Sequence, residues 1–177
     1  FDILSRPLRS GPADAPTRQI EMVRVLARAS GSCGMAGGQA IDLASVGKPL
    51  SQPELELMHA LKTGALIRAA VLLGALCGKA MPEAEHDALD RFAKRAGLLF
   101  QVVDDILDCT ASTATLGKTA GKDAAADKPT YVSLLGLEGA RRFAADLEAE
   151  ALASLQSFGD RARRLTELAA FIAHRKF

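Results

Sequence analysis

Four polar residues, Gln101, Asp104, Asp105 and Asp108, stand three or four positions apart in the run Gln101-Val-Val-Asp-Asp-Ile-Leu-Asp108. A helix through this run gathers them on one broad side. Leu89, Phe92, Ala96, Leu99, Val103 and Leu107 recur on roughly the opposite side, as a core-facing stripe does. Carboxylates one turn apart repel, and no Lys or Arg between Gly97 and Asp108 offsets them. Hard oxygen donors without a basic neighbour suit Mg²⁺, which takes one or two carboxylates and completes its shell with water and substrate phosphates. The cluster therefore predicts a phosphorylated ligand. The same spacing also fits the solvated face of a surface helix, so the surrounding residues must decide.

Those surroundings carry the opposite charge. Leu116-Gly117-Lys118-Thr119-Ala120-Gly121-Lys122-Asp123 follows directly, and then Asp127-Lys128-Pro129-Thr130-Tyr131. Both are turns punctuated by Gly or Pro and carrying lysines. A diphosphate needs both signs of neighbour, carboxylates that reach it through metal and ammonium groups that touch it directly.

The elements that would position these groups read as helices throughout. Alanine is abundant, β-branched residues are few, and no alternating strand pattern appears. After the breaks at Pro7, Gly11, Pro12 and Pro16, a stripe of Ile20, Val23, Leu26 and Ala27 predicts a helix up to Gly31. The small residues from Gly31 to Gly38 break or kink it and permit close packing. Helix resumes over 36–46 with Gln39 and Asp42. Ser51, with Glu54 three residues on, predicts a capped start for a helix running to about Cys77, with Leu55, Met58, Leu61, Ala65, Ala69, Leu72 and Leu76 on its core side. Lys62, Thr63 and Arg68 are its unusual polar members, and Gly64 leaves backbone open beside them. Pro82-Glu83 starts the helix that ends in the acids. Two more helices are expected at about 134–157 and 160–175, the second ending in His174-Arg175-Lys176, basic residues that suit a helix C-terminus.

With 22 basic and 21 acidic residues, the net charge of +1 gives no reason to expect nucleic acid or an anionic membrane as partner. The strongly apolar run from Ala69 to Gly78 is about half of the roughly 20 residues a membrane span needs, so no span is expected. Cys33, Cys77 and Cys109 have no metal-ligand spacing and read as buried small hydrophobes in a reducing compartment. With no signal peptide visible, the cytoplasm is the default location. His59, His86 and His174 stand apart from any nucleophile or metal-ligand partner and are given no chemistry.

Taken together, Gly37-Gly38-Gln39-Ala40-Ile41-Asp42-Leu43, Lys62-Thr63-Gly64-Ala65-Leu66, Phe100 to Asp108, Leu116-Gly117-Lys118 and Lys128-Pro129-Thr130-Tyr131 occur in the order and rough spacing of the trans-isoprenyl diphosphate synthases. The chain resembles that family over essentially all of its length, and most of all the bacterial members that form farnesyl diphosphate. The resemblance implies an all-α isoprenoid-synthase-type helical bundle around a deep apolar cavity, with bound Mg²⁺ and a homodimer. It implies a prenyltransferase condensing isopentenyl diphosphate with dimethylallyl or geranyl diphosphate. Residues 1–177 correspond to the C-terminal part of a single such domain, and the family's first aspartate-rich motif belongs upstream of Phe1.

By the same resemblance, Asp104 is a metal ligand, with Asp105 and Asp108 as further ligands or as neighbours that orient one. Lys62, Thr63, Gln101, Lys118 and Lys128 match positions that contact the allylic diphosphate, and Lys62, Asp104 and Lys118 form the catalytic set. Gln39 and Asp42 match positions near the hydrocarbon and metal end of the cavity, or else cap or cross-link helices. The alternatives are a synthase of another chain length, a class I terpene cyclase, and a non-catalytic helical subunit of a prenyl synthase.

Overall fold

A computed structural model of the chain describes residues 1–7, 14–110 and 129–176. Every regular element among them is helical. In chain order they are α1 (Ala15–Ser30), α2 (Met35–Ala44), α3 (Gln52–His59), a π-helical turn (Ala60–Gly64), α4 (Ala65–Cys77), α5 (Glu83–Thr110), α6 (Tyr131–Ser154), a 3₁₀ segment (Gln156–Ala162) and α7 (Arg163–His174).

The long helix α5 is the centre of the bundle. Phe92, Ala93, Leu99 and Val102 are fully enclosed, and α6, α4, the π turn and α7 all pack on it. Leu55 and Met58 of α3, and Tyr131, Ala140, Leu147 and Ala151 of α6, complete the core around it. Burial of such side chains stabilises by roughly 1.5–3 kcal/mol each, which is what fixes the helices against one another. Ala169 and Ile172 dock α7 into the same core, and that docking delivers the chain's basic end to α5.

The ends of the elements follow local rules. Ser51 caps α3 as expected: its backbone N–H donates to Glu54 Oε2 at 2.8 Å, and its hydroxyl and amide hold the Glu54 carboxyl below the usual carboxylate range. Thr130 caps α6 in the same manner, its Oγ1 accepting from the Ser133 N–H at 3.1 Å. This helix starts three residues before the expected 134, with a kink at Gly136, whose φ of 70° is available to glycine at little cost. Residues 1–7 form turns.

Four expectations are corrected by the structure. The helix over 52–77 does not keep one register: the π turn inserts an extra residue at 60–64 and rotates the buried stripe, so Gly64, Ala69 and Leu72 are enclosed while Leu61, Ala65 and Leu76 are half-buried. Counted through that turn, Gln52–Cys77 is long and apolar enough by length and composition to cross a membrane, which the shorter run from Ala69 had hidden. Its middle is nevertheless clamped between α2 and α5 and carries Lys62. All three cysteines are exposed rather than buried, since Cys33 lies in the α1–α2 turn and Cys77 and Cys109 in the last turns of α4 and α5. In α1, Ile20 and Ala27 of the expected stripe are exposed, because the helix packs on α4 and α2 along one side only.

Candidate active site

The site is assembled where three helices meet over glycine. A Cβ on Gly38 of α2 would lie 2.1 Å from the Lys62 backbone nitrogen, and one on Gly97 of α5 would lie 3.0 Å from Gly64 Cα. The backbones of α2, the π turn and α5 are therefore in contact with no side chain between them. That closeness is what the run of small residues before Gln39 is for. A π turn widens the helix and turns the side chains of Lys62 and Thr63, both half-buried, toward the neighbouring helices.

Each of these two side chains has a partner. Lys62 Nζ lies 2.8 Å from Asp42 Oδ2, a buried carboxylate on α2. Thr63 Oγ1 donates to Gln101 Oε1 at 3.3 Å, and Gln101 Nε2 donates to Asp105 Oδ1 at 3.2 Å. Five of the residues singled out in the sequence, Asp42, Lys62, Thr63, Gln101 and Asp105, thus fall into two linked polar groups at one helix junction. Gln39 is half-buried on α2, one turn before Asp42.

The three aspartates do not act alike. Asp105 is turned into the bundle, where its Oδ2 accepts the backbone N–H of Tyr131 at 2.8 Å and so satisfies a first-turn amide of α6. Asp104 and Asp108, one turn apart, are half-buried about 100° further round α5. The expectation that all three acids share one open face is corrected: helical rotation of 100° per residue carries Asp105 away from Asp104 and toward α6. Consistent with this, no group of three acidic, His or Cys side chains among the described residues converges closely enough to cage a metal. The donor set that remains, two carboxylates one turn apart, fits Mg²⁺ in its usual protein role, held by one or two carboxylates with substrate phosphates supplying the rest.

The acids also have a basic neighbour, contrary to the reading from α5 alone. Arg175, the residue after α7, donates from Nη2 to Asp104 Oδ1 at 3.3 Å and to the Phe100 carbonyl at 3.1 Å, with its guanidinium 4.0 Å from the Phe100 ring centroid. The basic triplet reads as a helix terminus, and nothing in its spacing signals an approach to a residue 71 positions earlier. Arg68 pairs with Asp90 on the surface of α4 and α5, away from these groups.

A second feature lies behind the acids. His59 is buried and stacks on Tyr131 with ring centroids 5.7 Å apart. Burial pushes the Tyr131 phenol far above its ordinary range, with Glu56 and Asp105 adding to the effect, so it stays neutral. Lys118 and Lys128, together with the Lys122–Asp123 pair, lie outside the described residues.

The chain belongs to the polyprenyl synthetase family, whose profile matches residues 6–164. A protein of Sinorhizobium fredii named "Probable farnesyl diphosphate synthase" is 52% identical over 159 residues, covering 88% of this chain and 48% of that one. The chloroplastic geranylgeranyl pyrophosphate synthase of Capsicum annuum is 48% identical over 162 residues, covering 90% and 44%. Among solved structures, the geranyltransferase of Helicobacter pylori complexed with magnesium and isoprenyl diphosphate superposes with a TM-score of 0.78 at 32% identity, covering 97% of this chain and 54% of that one. The chain spans about half the length of the curated relatives it matches.

Proposed function

We propose that the full-length gene product is a Mg²⁺-dependent prenyltransferase that joins isopentenyl diphosphate to dimethylallyl and then geranyl diphosphate, giving farnesyl diphosphate. The observation that carries this reading is the π turn that sets Thr63 against Gln101, at the head of the acidic stretch, and Lys62 against Asp42 beside it. An ammonium group, two neutral hydrogen-bonding side chains and two carboxylates one turn apart are the complement a diphosphate leaving group requires.

In the reaction, the C–O bond between the allylic carbon and the diphosphate breaks, with the electron pair leaving on oxygen. The double bond of isopentenyl diphosphate attacks the allylic cation, and a proton is then lost, most simply to the departed diphosphate. Lys62 and the Thr63 hydroxyl bind and orient the diphosphate, and Gln101 fixes the position of Thr63. Asp104 and Asp108 would hold Mg²⁺, which would supply positive charge to the leaving oxygens. Asp105 belongs to the orienting role, because its two oxygens accept from Gln101 and from the Tyr131 amide. Asp42 holds Lys62 in place as a cross-link between α2 and the π turn. Lys118 and Lys128 are proposed as further diphosphate contacts, and the homodimer and the cytoplasmic location belong to the same reading.

One observation favours a second product length: a geranylgeranyl pyrophosphate synthase is nearly as similar as the farnesyl-type relative. The test is to incubate the full-length protein with Mg²⁺, isopentenyl diphosphate and geranyl diphosphate and to chromatograph the dephosphorylated products. A fifteen-carbon alcohol is expected. A twenty-carbon product would correct the chain length, and absence of any condensed product would overturn the reading.

A further inference from the structure

Arg175 is held more firmly than the carboxylate it faces. Its side chain is 11% exposed, against 49% for Asp104. Two of its three contacts, the Phe100 carbonyl at 3.1 Å and the Phe100 ring at 4.0 Å, do not involve Asp104 at all. Its backbone follows directly from α7, whose Ala169 and Ile172 are locked in the core. The guanidinium is thus a fixed charge, and Asp104, joined to it by a single 3.3 Å contact, is the partner free to turn away.

Two further facts make this charge consequential. Asp104 and Asp108 sit in the last two turns of α5, at the negative end of the helix dipole, and no basic residue stands in that last turn. Asp108, one turn on, is a like charge that disfavours the Asp104 carboxylate there. Arg175 is the cation that the described fold provides to Asp104, and it comes from another helix rather than from α5.

We infer that Arg175 is a positioning residue that acts as a resident counter-ion, holding Asp104 in the metal-free protein and opposing divalent metal at that carboxylate until a diphosphate brings compensating negative charge. The inference rests on the proposed metal-binding role of Asp104. A fixed positive charge a few ångströms from a dication's ligand lowers affinity for the metal alone, whereas metal arriving with diphosphate adds little net positive charge to the site. Metal and diphosphate should then bind with strong mutual dependence, and Arg175 should be a principal source of it.

The test uses the full-length protein and Mn²⁺ as the probe, with free Mn²⁺ followed by its electron paramagnetic resonance signal in the absence of any diphosphate. Arg175→Gln keeps a donor for the Phe100 carbonyl and removes the charge, and on the order of tenfold tighter Mn²⁺ binding is expected. Arg175→Lys keeps the charge and should stay within about twofold of wild type. Arg175→Met, which retains an apolar stem over Phe100, should behave as Arg175→Gln and stands in for it if that variant is unstable. A merely structural role would loosen the site and weaken binding in all three variants. Unchanged or weaker Mn²⁺ binding by Arg175→Gln and Arg175→Met, in a protein whose wild type binds Mn²⁺ and condenses prenyl diphosphates, would overturn this inference alone. No condensation and no Mn²⁺ binding by wild type would overturn the functional reading together with it.

Discussion

Lys62 Nζ and Asp42 Oδ2 meet at 2.8 Å across 20 positions of chain, tying the π turn to α2. The pair is lopsided, because the Asp42 side chain is 8% exposed and that of Lys62 31%. Removing the ammonium leaves a buried carboxylate without its cation, whereas neutralising the carboxylate leaves an ammonium that can still reach water. Lys62→Met should therefore destabilise the fold by about 2 kcal/mol, and Asp42→Asn by less, about 1 kcal/mol. Urea unfolding of both variants checks this, and a larger loss for Asp42→Asn would contradict it.

The glycine contact beneath Lys62 is stricter. A Cβ at Gly38 would overlap the Lys62 backbone nitrogen at 2.1 Å and its Cα at 2.6 Å, atoms that cannot swing aside as a side chain can. Gly38→Ala should cost about 3 kcal/mol and move Lys62 out of register with Asp42. A thermal midpoint within a degree or two of wild type would show that α2 has room to shift.

Asp104 and Asp105 should separate in their effects. Asp105 is buried and caps the first turn of α6 through the Tyr131 amide, so Asp105→Ala should destabilise by about 2–3 kcal/mol. Asp104 is half exposed, and Arg175 keeps its contacts with the Phe100 carbonyl and ring when the carboxylate is removed, so Asp104→Ala should change stability by no more than about 1 kcal/mol. Equal unfolding midpoints for the two variants would contradict the assignment of Asp105 to the scaffold.

Tyr131 offers a prediction of the opposite sign. Its phenol oxygen is fully enclosed and has no hydrogen-bond partner among the described residues, while its ring packs between His59 and Phe143. Tyr131→Phe keeps the packing and removes a buried polar atom, so it should leave stability unchanged or raise it by up to about 1 kcal/mol. A clear loss of stability would reveal a partner for that hydroxyl.

Much of this arrangement is legible in residue types and spacing. The all-helical fold, the capped start at Ser51, the core face of α5 through Phe92 and Leu99, and the close approach at the small-residue run before Gln39 all follow from local rules of period, capping and size. What spacing does not carry is rotation and return. The π turn at 60–64 is not visible in a pattern read at 3.6 residues per turn, so the expected stripe misses at Leu61 and Ala65 while holding at Ala69 and Leu72. Asp105 looks like its neighbours until α6 is present to need a cap. Arg175 looks like an ordinary helix terminus until α7 folds back on α5 and sets it over Phe100. The misses at Asp105 and Arg175 concern partners distant in sequence, chosen by packing and not by local preference.

In the proposed function, the carboxylates at the end of α5 hold metal for departure of a diphosphate. The most direct measurement is the steady-state kcat of full-length Asp104→Ala at saturating Mg²⁺, isopentenyl diphosphate and geranyl diphosphate, set beside its thermal midpoint. Loss of one charge-stabilising group at such a centre should lower kcat by on the order of 10²–10³-fold while the midpoint stays close to wild type. Turnover within a few fold of wild type would contradict the account.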